Sequence, residues 1–242
     1  QKAFADAWEG YGLAEGACGI GPAFAVVSGL DWRKNNDPYV NQKFLGSQGG
    51  PAGPEIDGGG TYGNSVTTGL RFRDSVEIDE HKYPIRVSEI RVRQDSEGAG
   101  RRRGAPGFRV AYGPRHDVMR AFYVTDGHHF PPRGVRGGGP GAPSLPFKLH
   151  ADGVEEPLPP IASTDLQPGE QLLHLLSGGG GYGSPLKREP ERVREDVLAQ
   201  FISLERARDV YGVVFAGSAL DETLDVDAAA TERQRAALRA AG

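Results

Sequence analysis

Hydrophobic and polar residues alternate along the middle of the chain as they do in half-buried β-strands. The clearest case follows Pro84, where Ile85, Val87, Ile90 and Val92 are separated by polar positions. Side chains of a strand point alternately to its two faces, so this pattern predicts a strand with one face in the core. The whole stretch 67–93 is predicted to be β. Further strands are predicted at 23–28, 107–112, 118–124, 145–150 and 171–176.

The C-terminal part of the chain has the spacing of helices. Pro190 suits a first helical position, a second short helix is predicted from Ser203, and Asp227 suits the N-cap of a final helix. A short helix is also expected at Lys2 to Trp8, and a short strand at 213–215. The predicted class is α+β, with antiparallel strands in a meander or sandwich, long Gly/Pro loops and a small C-terminal helical (α/β) appendage. We expect a β-rich body over 1–176 and a glycine-rich turn with the helical segment over 177–242.

Glycine is the anomaly of the composition, with 36 glycines and 18 prolines among 242 residues. Residues 46–63 are nearly free of apolar side chains, which is typical either of a loop whose backbone approaches a ligand or of a surface linker. The run Gly178 to Gly183 suits either a phosphate cradle or close backbone packing. Three residues separate this run from the next helix, which favours packing.

Charge and cysteine content narrow the function classes. The net charge of −4 and pI of 5.9 give no general case for nucleic acid, and Arg101 to Arg103 are interpreted as a solvated loop. The lone Cys18 allows no internal disulfide and is expected to be an inert, buried thiol. No apolar run approaches a membrane span and no signal peptide is recognised, so the expected compartment is the cytoplasm. The chain starts at Gln1, which suits a removed start or a processed piece.

Four stretches carry a resemblance to a known family. They are SGGGGYGSPL with the region that follows it to residue 215, DSEGAGRRRGAPG at 95–107, HFPPRGVRGGGPGAP at 129–143, and the strand start at 80–87. In order and spacing they resemble the C-terminal half of the large subunit of the hydantoinase B/oxoprolinase family, which is related to the acetone and acetophenone carboxylases. The resemblance extends over essentially the whole chain.

The resemblance implies a subunit of an ATP-dependent amidohydrolase that opens cyclic amides such as hydantoins or 5-oxoproline. An ATP-dependent ketone carboxylase is the alternative, and a non-catalytic scaffold in such a complex is a third hypothesis. The implied partners are the N-terminal half of the B-type subunit as a separate chain and an A-type ATP-binding subunit, in a hetero-oligomer with a small-molecule substrate. ATP, Mg and a divalent metal are expected on those partners. We expect neither a cofactor nor a metal on this chain.

The candidate catalytic residues are His128, His129, Glu77 and Glu80. The histidines stand where the family commonly has arginines, and the alternative is a hydrogen-bonded pair at a strand end. Adjacent side chains on a strand point to opposite faces, so the pair would chelate one metal poorly. Glu77 and Glu80, with His81, could do acid–base work only if they were buried together.

Arg71, Arg73 and Arg133 are the candidate substrate-binding residues. Guanidinium groups bind a carboxylate or phosphate through two parallel hydrogen bonds. Arg71 and Arg73 replace small polar residues of the family, and the alternative for them is a surface strand with alternating charge.

Overall fold

The computed structural model describes residues 1–17, 24–60, 74–220 and 223–241, and Phe24 by its backbone alone. The described helices are α1 (Lys2–Ala7), α2 (Val76–Lys82), α3 (Pro190–Leu198), α4 (Leu204–Asp209) and α5 (Ala228–Ala241). The described strands are β1 (Phe24–Asp31), β2 (Asp37–Phe44), β3 (Ile85–Val92), β4 (Phe108–Pro114), β5 (Met119–Val124), β6 (Leu145–Leu149), β7 (Glu155–Pro157), β8 (Ile161–Leu166), β9 (Gln171–Leu175), β10 (Phe215–Ala216) and β11 (Asp225–Val226).

Two antiparallel sheets face each other across one apolar core. The first has the order β2-β1-β5-β8 and the second the order β3-β4-β9-β6-β7. The core is formed by alternate residues from both sheets, including Ala25, Val27, Ile85, Val110, Tyr112, Met119, Ala121, Leu166 and Leu172. The predicted α+β class, with a body of antiparallel strands, is confirmed.

The C-terminal prediction also holds in outline. Helices α3 and α4 begin at Pro190 and Leu204, and the Asp227 side chain accepts a hydrogen bond from Ala230 N at 2.9 Å, as an N-cap does. The short strand lies two residues later than predicted, over Phe215–Ala216.

Two stretches of the chain depart from the sequence prediction. The β assignment of 67–93 is wrong over α2; residues 67–73 of it lie outside the described residues. The Ser75 hydroxyl caps this helix by accepting a hydrogen bond from Ile78 N. A buried ion pair between Lys43 Nζ and Asp79 Oδ1, 2.6 Å apart, holds the helix against β2. The stretch 151–169, for which no strand is predicted from the sequence, contains β7 and β8.

Residues 177–183, which we call the glycine segment, lie at the centre of the molecule and bond to their neighbours through the backbone. The six N–H groups from Gly178 to Gly183 donate, in order, to the carbonyls of Ala142, Ala105, Glu15, Gly139, Arg102 and Val135, at 2.8 to 3.2 Å. The first and fourth groups bond residues 132–142, and the second and fifth bond residues 96–107. These four groups repeat with a period of three, as in a polyproline II helix. The sixth group, Gly183 N–H, donates to Val135 O in residues 132–142, so the repeat ends there.

Such close approach requires glycine at the contact points. A Cβ on Gly179 would lie 1.9 Å from Gly50 O, and one on Gly181 would lie 2.1 Å from Ala99 O. The interpretation of this run as close backbone packing is therefore confirmed. Residues 47–50, 52 and 53 are buried against the same backbone, so the surface-linker alternative does not describe them. Residues 61–63 lie outside the described residues.

Buried ion pairs fasten the C-terminal helices to the body. Asp196 on α3 accepts Arg103 Nε at 2.7 Å and Arg188 Nε at 3.0 Å, and Arg188 Nη1 also reaches Asp57 Oδ1 at 2.8 Å. Arg188 is 1% exposed and Arg103 8%. The interpretation of Arg101 to Arg103 as a solvated loop is wrong for Arg103, because its charge is neutralised inside the protein.

A second buried contact lies beside the first. Glu97 is fully buried and accepts Arg206 Nε of α4 at 2.7 Å and the Tyr211 hydroxyl at 3.0 Å. Burial raises the pKa of Glu97, although Arg206 and Tyr211 act in the opposite direction. Residues 96–107 thus contact both the glycine segment and the C-terminal helices.

We predict that Gly179→Ala destabilises the fold by about 3 kcal/mol or more, because its methyl group would overlap a backbone carbonyl that cannot rotate away. Urea unfolding measures the loss. Gly59→Ala is the matched control, since Gly59 is exposed and a Cβ there meets nothing within 4 Å. Equal stability of the two variants would contradict the central role of the segment.

Asp57 should make stability acid-dependent. Its burial alone raises the pKa, but hydrogen bonds and charge from Arg188 and Arg103 outweigh burial, and the pKa lies below the ordinary 3.8. A lowered folded-state pKa contributes stability above the unfolded-state pKa, and this contribution is lost as the pH falls through the folded-state pKa.

We therefore expect Asp57→Asn to cost roughly 1.5–3 kcal/mol at neutral pH. The difference from wild type should shrink below about pH 4. Unfolding titrations at several pH values measure this, and a difference that is the same at pH 7 and pH 3 would show that Asp57 is not the titrating group.

Candidate functional site

One end of the sandwich gathers the ends of strands from both sheets. β5 ends there at Val124, β6 begins at Leu145, and β9 runs into the glycine segment. Ser144 N donates to Gly127 O at 3.0 Å, and Ser144 Oγ accepts Ser177 N at 3.1 Å. We call Gly127, Ser144 and Ser177 the serine bracket, because these bonds tie three separate segments together.

His128 is held directly by this bracket. Its Nδ1 lies 2.8 Å from Ser144 O. A carbonyl oxygen can only accept a hydrogen bond, so Nδ1 carries the hydrogen and Nε2 of the neutral ring is left as an acceptor. The ring is half-buried. The arrangement can therefore present one oriented acceptor to a molecule at this end of the sandwich.

His129 is exposed, and its ring meets the His128 ring edge-on at 4.7 Å between centroids. Both histidines lie in the bend after β5, outside the strand, so the two rings are in contact. The expectation that opposite faces of a strand would separate them does not apply here.

Two buried hydroxyls lie beside the bracket. Ser177 Oγ and Thr125 Oγ1 are buried and have no hydrogen-bond partner among the described residues. Gly127 has a φ of +73°, and a Cβ there would come within 3.3 Å of Ala17 and 3.4 Å of Ser177. Sequence reasoning missed Ser144 and Ser177, since isolated serines among glycines and prolines carry no pattern.

His174 lies deeper in the same core and has a different character. It is fully buried, between the rings of Tyr112 and Tyr123 at centroid distances of 6.3 and 5.5 Å. Burial lowers the pKa of His174 to about 3, so the ring stays neutral. Its contacts suit it to core packing behind the serine bracket.

The glutamate candidates lie on α2, and their carboxylates bond to protein groups. Glu77 is exposed and accepts the Ser75 hydroxyl at 2.7 Å, which lowers its pKa. Glu80 accepts Val87 N and Arg115 Nη2, both at 2.7 Å. His81 is exposed, so the three residues do not share a buried environment.

Glu80 also lines an open groove with a volume of about 700 Å³. Arg86, Arg115 and Glu170 contribute charges of both signs to its wall. The groove lies along the second sheet, and Glu80 is the sequence candidate that reaches it.

Arg133 is the arginine candidate that the structure describes. Arg133 is exposed over 72% of its side chain and forms a two-point pair with Glu15, at 3.0 and 2.9 Å. This pair ties Glu15 to the segment 132–142. Arg71 and Arg73 lie outside the described residues, as does Cys18.

A metal ion and a phosphate are two other ligands to consider for the residues that the structure describes. No group of three or more His, Cys, Asp or Glu there is placed to hold a metal ion. The backbone N–H groups of Gly178 to Gly183 all donate to carbonyls, so they are not free to cradle a phosphate. None of the described helices has the length and hydropathy needed to cross a bilayer.

A family model described as hydantoinase B/oxoprolinase matches residues 1–185. Among curated proteins, the beta chain of caprolactamase from Pseudomonas jessenii is 32% identical over 217 residues, covering 87% of this chain and 36% of its own length. The B component named for a D-/L-hydantoinase of a Pseudomonas species is 32% identical over 170 residues, covering 66% of this chain and 28% of its own length.

The alpha chain of acetone carboxylase from Xanthobacter autotrophicus is 28% identical over 231 residues. The match covers 76% of this chain and 29% of that protein. The chain thus spans about a third of the length of these relatives.

Solved structures agree with these matches. The crystal structure of ATP-dependent caprolactamase from Pseudomonas jessenii superimposes with a TM-score of 0.77 at 30% identity, over 93% of this chain and 38% of that chain. Nucleotide-free acetone carboxylase superimposes with a TM-score of 0.70 at 24% identity, over 89% of this chain and 32% of that chain. The second likeness shows a shared fold.

Ser144→Ala should destabilise the protein by about 1–3 kcal/mol, because the buried Ser177 N–H would lose its acceptor. Urea unfolding measures the change. Ser163→Ala, at an exposed position of β8, is the control and should stay within about 0.5 kcal/mol of wild type. If the two variants behaved alike, the bracket would not be the anchor of this end.

Proposed function

The chain belongs to the hydantoinase B/oxoprolinase family, and on that premise we propose that it is the C-terminal part of the B-type subunit of an ATP-dependent amidohydrolase that opens cyclic amides. The observation that carries the proposal is the likeness to caprolactamase, in sequence over 87% of the chain and in structure at a TM-score of 0.77. The likeness to the hydantoinase component supports the same substrate class.

The proposed chemistry explains the need for ATP. An amide carbonyl is a poor electrophile, and phosphorylation of its oxygen makes the carbon open to attack by water. Phosphoryl transfer depends on positioning and on charge stabilisation by a nucleotide site with metal. ATP and Mg are assigned in this proposal to an A-type subunit, and a divalent metal to the N-terminal half of the B-type subunit. The N–H groups of Gly178 to Gly183 donate to carbonyls and are not available to hold a phosphate.

The chain's own share is a rigid wall of the substrate site. His128 at the serine bracket is the candidate that the geometry supports best, because its ring is oriented and half-buried. His129, Glu77 and Glu80 remain proposals for catalytic residues. Arg71, Arg73 and Arg133 remain proposals for substrate binding, and the pairing of Arg133 with Glu15 also suits a structural role.

The assembly that we propose is a hetero-oligomer with this chain as one part. Its substrate is a small molecule, and we infer a cytoplasmic location because ATP is consumed. A scaffold role for this chain is compatible with the same assembly, since buried ion pairs and backbone bonds engage many of the polar groups at its centre.

A ketone carboxylase is the second candidate. It is favoured by the match to the alpha chain of acetone carboxylase over 231 residues. The two reactions differ in what is consumed with ATP, because the hydrolase uses water and the carboxylase uses bicarbonate.

Purification of the native complex, with identification of the co-purifying chains, tests the proposal. We expect phosphate release from ATP that depends on a lactam or hydantoin and needs no bicarbonate. An aryl ketone with bicarbonate is the control substrate and should give only background turnover. The opposite pattern, with turnover on ketone and bicarbonate alone, would identify a carboxylase.

A further inference from the structure

We infer that His128 determines specificity for the substrate N–H, with its Nε2 accepting a hydrogen bond from the ring N–H of the cyclic amide. The inference rests on the proposed function, which supplies the substrate class. It adds a residue, an atom and the substrate group that this atom recognises.

The imidazole of His128 has a defined tautomer. Nδ1 lies 2.8 Å from Ser144 O, and this contact holds the hydrogen on Nδ1. In the neutral ring, Nε2 then has a lone pair and no hydrogen. The contact is to a backbone carbonyl, so no change of a neighbouring side chain alone removes it.

The His128 ring is also held rigidly. Ser144 is fully buried, its N–H donates to Gly127 O, and its hydroxyl accepts Ser177 N. Asp126 Oδ1 accepts Gly127 N at 2.8 Å and fixes the turn on the other side of the histidine. The ring orientation is therefore set before a ligand arrives, which limits the entropy lost on binding.

A cyclic amide is chemically complementary to this acceptor. It carries an N–H donor beside its carbonyl, whereas a ketone carries none. A neutral imidazole acceptor suits a neutral donor, and sites built to bond an N–H reject analogues that lack it. The glutamate candidates are less suited, because the Glu77 and Glu80 carboxylates already accept bonds from Ser75, Val87 and Arg115.

Nitrogen-15 NMR of the imidazole groups in this chain tests the geometry. We expect a protonated Nδ1 and an unprotonated Nε2 for His128 at a pH where the ring is neutral. His129, which is exposed, provides the comparison within the same sample. A hydrogen on Nε2 of His128 would overturn the inference.

Kinetics of the assembled enzyme test the substrate role. The wild-type kcat/KM should fall roughly 100-fold or more when the lactam nitrogen is methylated. His128→Phe should reduce this discrimination to less than about tenfold, whereas His128→Gln, which keeps an acceptor oxygen, should retain most of it. His116→Phe, at an exposed histidine beside Trp32, is the matched control and should discriminate like wild type.

The possible outcomes distinguish a failure of the inference about His128 from a failure of the proposed function. Wild-type discrimination in His128→Phe would overturn the inference and leave the proposed function standing. Absence of turnover on both lactams and hydantoins in the wild-type complex would overturn the proposed function, and the substrate role of His128 with it. If His128→Phe did not assemble, the smaller His128→Ala, which also lacks an acceptor, would take its place, and wild-type discrimination in that variant would overturn the inference.

Discussion

The lateral backbone hydrogen bonds of residues 177–183 are the constraint on which the rest of the structure depends. Successive N–H groups point in different directions, so this one segment joins residues near 15, 50, 100 and 139. Side chains would prevent these contacts, since a Cβ on Gly178 would lie 1.6 Å from Ser96 O. The ends of both sheets and the base of the C-terminal helices are thereby fixed to a single backbone, and Ser177 starts that backbone inside the serine bracket.

The pattern of side chains predicts the parts of the fold in which apolar residues alternate with a regular period. Strands β3 and β5 are found in this way, because more and less buried positions alternate along them. Strands β4 and β9 are found as short apolar runs, and their central residues are all buried. The sequence indicates that the glycine segment packs closely. It does not indicate which segments lie against it, because backbone hydrogen bonds produce no pattern of side chains. Helix α2 escapes prediction because its seven residues carry mostly charged side chains beside a predicted strand.

For a related reason, the sequence predicts some residues of the candidate site and misses others. His128 stands out by its residue type, whereas Ser144 becomes visible only through a carbonyl and a hydroxyl that bond other segments. Arg103 illustrates the same limit, because its partner Asp196 lies 93 residues away. A run of three arginines therefore resembles a solvated loop, although one member forms a buried ion pair. Contacts between distant segments decide both cases, and local sequence does not encode them.

The rigidity of this end has a consequence for how a shared active site can work. A site completed by another chain must present its groups in a fixed geometry, because any freedom left in the free part is lost on assembly. Here the His128 ring is oriented by a backbone carbonyl, that carbonyl belongs to a buried serine, and the serine is bonded to the glycine segment. Each link is made within this chain. The high glycine content of the sequence thus has a physical purpose. It permits the close backbone contacts that hold the His128 ring in place, in a chain that spans about a third of the length of its relatives.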